Sequence, residues 1–148
     1  MELEEFKKAA TENVIAVINA IAEYDMEKVS KLTEVSRVWC EDIEEGIFGT
    51  QEYGLDMLAK WLRGELELKR YSPNKKYAID KFDYDCFRIE DKPDKKGILH
   101  ADYYPTCDGN YVYNLFFDFY YSITYDGKLK SYFNLKCKDK EWYLYETL

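Results

Sequence analysis

Residues 111–137 read YVYNLFFDFYYSITYDGKLKSYFNLKC, and the alternation within them decides the fold class. In the first half, Tyr113, Leu115, Phe117, Phe119, Tyr121, Ile123 and Tyr125 fall on one side of a pleated strand. Asn114, Phe116, Asp118, Tyr120, Ser122 and Thr124 fall on the other. Asp126-Gly127 is a strong hairpin signal, and the chain resumes with the same period of two. There Phe133, Leu135 and Cys137 oppose Tyr132, Asn134 and Lys136. One face is greasy enough to carry a helical layer, while the other mixes aromatic and polar groups. That second face must meet water or another chain.

Working outward, similar segments flank this pair. Tyr77–Glu90 reads as a strand whose apolar side switches midway, which predicts a bulge near Asp85. A charged turn over Asp91–Gly97 leads to a strand over Ile98–Pro105. Asp108-Gly109 marks another hairpin, and Lys140–Thr147 supplies the last strand. The whole reads as an antiparallel meander. Upstream the period changes to that of a helix. Phe6, Ala10, Val14, Val17, Ile18, Ile21 and Tyr24 share one helical face. Asp25 is the expected N-cap of a second helix with Val29, Leu32, Val35 or Ser36, and Trp39 facing in. An acidic loop over Cys40–Gly49 precedes a third helix, from Gln51 to about Leu66, capped by Thr50. Its inward set is Gly54 or Leu55, Leu58, Trp61, Leu62, and Glu65 or Leu66. Ser72-Pro73-Asn74 closes the helical part.

A chain of 148 residues has room for one ordinary core, so residues 1–148 are expected to form a single α+β domain. Helices should pack on one face of a curved antiparallel sheet. The net charge of −8 has the wrong sign for binding nucleic acid. Its distribution is uneven: residues 1–56 hold 14 acids against five bases, a local −9, and the remainder is nearly neutral. Tyrosine runs the other way, with 13 of 15 beyond residue 70. No stretch approaches the roughly 20 apolar residues of a membrane span, and the start lacks a secretory pattern. Four widely spaced cysteines, Cys40, Cys86, Cys107 and Cys137, suit reduced, buried thiols in the cytoplasm.

Local text resembles the NTF2-like (cystatin-like) superfamily. Ala20–Val29 is similar to that family's link between helices one and two, and Phe48–Glu52 to the glycine-led entry to its third helix. Leu135–Leu144 resembles its final hairpin, with Trp142 after a charged turn. The resemblance implies a cone with a pocket between sheet and helices. It does not imply an activity, since members include isomerases, dehydratases, ligand binders and non-catalytic partners.

Three functional readings follow. In the first, the chain is a non-catalytic domain that binds a small apolar ligand or pairs with itself. Trp39, Trp61, Tyr113, Phe117 and Tyr121 would line the pocket. Phe116, Asp118, Tyr120, Tyr132 and Asn134 would form a homodimer interface on the outer sheet face. In the second, an immunity-type protein blocks a basic toxin, meeting it with Glu41, Asp42, Glu44 and Glu45. The third is an isomerase or dehydratase, with His100, Asp102 and Asp118 as the titratable candidates. All three alternate with the greasier set and are expected to point outward, so no catalytic residue is assigned. One histidine and scattered cysteines give no zinc spacing, and Asp80, Asp83 and Asp85 lack the glycine and distal Glu of a calcium loop. No metal or cofactor is expected.

Overall fold

A computed structural model describes residues 1–40, 47–48, 69–70, 79–113, 115–137 and 141–144. It is an α+β structure with helices packed against a mixed sheet. Helix α1, Leu3–Ala22, buries Phe6, Ala10, Val14, Val17, Ile18 and Ile21, the periodic set expected from the sequence. Glu4 and Glu5 lie in its first turn, where the helix dipole favours them. The helix closes with Tyr24 at φ 58, its N–H donating to the Ile21 carbonyl while Asp25 N–H reaches Ala20. That left-handed residue reverses the chain and leaves Tyr24 largely exposed instead of on the apolar face.

Asp25 caps α2 as expected, its carboxylate accepting from Lys28 N–H at 3.1 Å. Helix α2, however, spans only Met26–Leu32. Thr33 is already extended, and β1, Glu34–Cys40, follows. Val35 and Trp39 therefore belong to a strand and not to a helix. Their spacing of four suits a helical face, but Val35, Val38, Trp39 and Cys40 are poor helix formers that favour a pleated surface. Strand β2, Ile47–Phe48, pairs antiparallel with β1 inside the stretch expected to be loop. Strand β3 is Lys69–Arg70. The expected third helix and the Ser72-Pro73-Asn74 turn lie outside the described residues.

Of the strand expected over Tyr77–Glu90, the described residues 79–90 hold only β4, Phe87–Ile89. Where a bulge was expected, Tyr84–Cys86 make a single 3₁₀ turn capped by the Asp83 carboxylate, which accepts from Asp85 N–H. Next come β5, Leu99–Tyr103, β6, Thr106–Cys107, and β7, Asn110–Tyr113. The Asp108-Gly109 hairpin is present, with φ of 52° and 81° as a type I′ turn requires. The long strand divides: β8 is Leu115–Ile123, and β9, Leu129–Cys137, follows the Asp126-Gly127 turn. Strand β10 is Glu141–Leu144.

Two sheets result. The larger has the order β2-β1-β9-β8-β5-β4, and the smaller β3-β10-β7-β6. The antiparallel meander holds for β4, β5, β8 and β9. It is extended by β1, which lies parallel to β9 with a register shift between Val35 and Arg37. One face of the larger sheet supplies Val35, Leu99, Ala101, Tyr103, Phe117, Phe119, Tyr121 and Phe133, all buried with the apolar stripe of α1. Phe133 meets Phe117 and Phe119 edge-on or tilted at ring centroids of 5.1 and 5.2 Å.

Candidate functional site

The inner face contains polar groups, and they are tied to one another. Asn13 Oδ1 accepts from Tyr121 Oη at 2.8 Å and from Ser131 Oγ at 2.9 Å, while its Nδ2 donates to the Leu32 carbonyl. Ser131 spends its proton on Asn13, so the 2.7 Å contact with Thr33 Oγ1 has Thr33 as donor. One side chain thus joins α1, the end of α2, β8 and β9. Asn19 Oδ1 likewise accepts from Phe82 N–H and ties the segment before the 3₁₀ turn to α1. Tyr103 Oη accepts from Asp83 N–H at 3.0 Å. Burial holds both the Tyr103 and Tyr121 phenols well above the usual tyrosine range.

Phe117 and Tyr121, expected to line a pocket, retain no accessible surface. They are core side chains, Tyr121 stacked on Phe119 with centroids 6.1 Å apart. Trp39 and Tyr113 are described in their backbones alone: Trp39 stands in register with Lys136, and Tyr113 with Tyr143. Trp61 lies outside the described residues. So do Glu41, Asp42, Glu44 and Glu45.

The outer face is better defined. Cross-strand register sets Arg88 opposite Asp102, Asp102 opposite Asp118, and Asp118 opposite Asn134. The adjacent row runs His100, Tyr120, Tyr132 and Glu34. His100 meets the Tyr120 ring edge-on at 4.9 Å, and Lys130 Nζ lies 5.2 Å from the Tyr132 ring centroid. The neighbouring Tyr132 raises the Lys130 ammonium pKa. Tyr120 Oη donates to Asp118 Oδ2 at a long 3.4 Å. His100, Asp102, Tyr120, Tyr132 and Asn134 are half-buried, whereas Asp118 is only 6% exposed. The expectation that Asp118 faces outward holds for its side of the sheet, but it does not sit in open water. Phe116 stands in register with Lys136, described in backbone alone.

At the edge of this face Asp94 organises the charged turn. Its Oδ1 accepts from Lys96 and Ile98 N–H, and Oδ2 lies 3.1 Å from His100 Nε2. An ionised carboxylate only accepts, so Nε2 carries the proton in this pair. The His100 bond, followed by the backbone donors, holds the Asp94 carboxyl below the ordinary carboxylate range.

In the Asp80, Asp83, Asp85 trio, the first two carboxylates have separate structural duties. Asp80 reaches across to the β6–β7 hairpin. Oδ2 accepts from Thr106 Oγ1 and Gly109 N–H, each at 2.8 Å, and Oδ1 from Asp108 N–H at 3.0 Å. Asp83 caps the 3₁₀ turn. Among the described residues, no group of three or more His, Cys, Asp or Glu side chains is placed to hold a metal ion. Nor, among them, is any helix long and apolar enough to cross a membrane.

The sequence pattern brought out the outer-face rings but missed Asn13. Apolar periodicity passes over a polar residue at the margin of a helical stripe, and only Tyr121 and Ser131, more than 100 positions later, give it a role. Compared with known proteins, the chain matches no family model and no curated sequence.

Proposed function

We propose that the chain is a non-catalytic NTF2-like domain that pairs with a second copy of itself through the outer face of the larger sheet. The observation that carries this reading is the His100–Tyr120–Tyr132 row, three half-buried rings in direct cross-strand register on the side away from α1. Tyrosine and aromatic side chains supply large contact area with polar edges, as interface cores do. The helices-then-sheet order agrees with the family resemblance. The inner face favours pairing over a small ligand, since Phe117 and Tyr121 are fully packed and the Asn13, Thr33 and Ser131 groups already satisfy one another.

Size-exclusion with light scattering tests it. A dimer that becomes a monomer in Tyr132→Glu, with circular dichroism unchanged, is the expected result. A parent protein that stays monomeric as concentration is raised would count decisively against the reading. The charge of residues 1–56 favours one alternative, a protein that meets a basic partner. Glu2, Glu4, Glu5, Glu12, Glu23 and Glu27 are all exposed on or beside the helices. A partner that bound equally well after Glu41, Asp42, Glu44 and Glu45 were reversed to lysine would remove the acidic loop from that alternative.

A further inference from the structure

Around the 3₁₀ turn, exposed aromatic surface and exposed carboxylates coincide. Tyr84 is 68% exposed, with its ring edge-on to Phe82 at 4.9 Å, and Phe82 in turn stacks on the buried Tyr103 at 5.4 Å. Tyr111, from the neighbouring hairpin strand, is 43% exposed, and its phenol pKa is raised by the electrostatic influence of the buried Cys86 thiol behind the turn. Asp83 and Asp85 flank Tyr84 and are both exposed. They lie close enough to Tyr111 for their charges to act on its phenol. Asp83 uses one oxygen to cap the turn, and its second takes no hydrogen bond among the described residues. Neither carboxylate forms an ion pair among the described residues, although Lys81 and Arg88 lie nearby in the chain.

We infer that Tyr84 and Tyr111, with Asp83 and Asp85, form a docking surface for an arginine-bearing segment of a partner protein. The face of a tyrosine ring attracts a cation, and a guanidinium stacks flat on it while its N–H groups donate to carboxylates alongside. The turn fixes both halves of that arrangement. Asp83 caps the 3₁₀ turn and Asp85 lies within it, one on each side of Tyr84 in the chain, and Phe82 links the Tyr84 ring to the buried Tyr103. Charge complementarity selects the occupant: a cationic segment gains from the two carboxylates and an acidic one is repelled. This surface is distinct from the outer-face row and does not depend on self-pairing.

The test uses the 148-residue chain and an acetylated, amidated penta-arginine peptide, followed by amide shifts in heteronuclear NMR at low salt. Shifts should centre on residues 82–88 and 104–111. Tyr84→Ala should weaken binding about two- to fivefold, the scale of one exposed cation–π contact. Asp85→Asn removes no side-chain hydrogen bond of the turn and should weaken it comparably, so a folding defect at Tyr84 leaves the proposal testable. Glu4→Gln with Glu5→Gln, which alters net charge on α1 alone, should leave the localised shifts in place. The inference is overturned if no binding occurs, if shifts spread over α1, if the α1 variant loses as much as Asp85→Asn, or if penta-glutamate gives the same pattern.

Discussion

Asn13, in the middle of the first helix, takes the hydroxyl proton of Tyr121 at 2.8 Å, although 108 residues separate them in the chain. The bond makes a polar side chain the fastener between the helical layer and the central strand of the sheet.

Replacing Asn13 by Ala strands three partners at once: the Tyr121 and Ser131 hydroxyls and the Leu32 carbonyl. We expect a loss of about 2–4 kcal/mol in urea denaturation, since buried groups left unsatisfied each carry a desolvation cost. Tyr121→Phe removes one donor and leaves Ser131 on Asn13, so it should cost only about 1 kcal/mol. Equal effects of the two changes would mean that the network is not centred on Asn13.

Alkali should unfold the protein through two phenols. Burial raises the folded pKa values of Tyr103 and Tyr121 above their unfolded values. The stability they confer is therefore complete below about pH 10 and is lost as pH rises beyond it. Absorbance titration of the phenolates should show these tyrosines ionising only together with the loss of circular dichroism. Full ionisation of every tyrosine in a still-folded protein would refute this.

Acid acts on the other side of neutrality. Asp94 has a depressed carboxyl pKa in the fold, so its contribution is present above about pH 4 and drains away as pH falls through the lowered value. The difference in denaturation midpoint between the parent and Asp94→Asn should shrink as pH falls below about 4. A difference that persisted unchanged into strong acid would exclude the depressed Asp94 carboxyl as its source.

Asp80 clamps the β6–β7 hairpin with three accepted hydrogen bonds. Asp80→Ala should cost about 1–2 kcal/mol, and Asp80→Asn less, because one acceptor oxygen remains. Gly109→Ala should cost about 1 kcal/mol through its left-handed backbone at φ 81 alone. Thermal melting distinguishes the cases, and an unchanged melting temperature in Asp80→Ala would show that the clamp is dispensable.

What could be read from the sequence was what local chemistry dictates. The apolar stripe of α1, the Asp25 cap and both Asp-Gly turns are decided by neighbours within a few positions, and all four are present. The alternation of residues 117–133 correctly separated Phe117, Phe119, Tyr121 and Phe133 from Asp118 and Tyr120. The 34–40 segment failed because Val35 and Trp39 satisfy helical spacing locally. Its strand state depends on a partner almost 100 residues away. The outer-face rows were half legible: alternation put Tyr120, Tyr132, His100 and Asp102 on that face, but only register set His100 beside Tyr120 and Asp102 beside Asp118.

The parallel pairing of β1 with β9 has a consequence for synthesis. Val35 waits for Phe133 and Val38 for Leu135, so the first strand, which meets the two-residue β2 early, gains its long neighbour only after most of the chain has emerged. Asn13 and Thr33 depend on the same late segment through Tyr121 and Ser131. A nascent chain halted near residue 78 would hold α1 without Leu99, Phe117, Phe119, Tyr121 and Phe133, which share its buried cluster. Contacts of such long sequence separation also slow folding. The amino-terminal quarter of this protein is therefore made first and finished last.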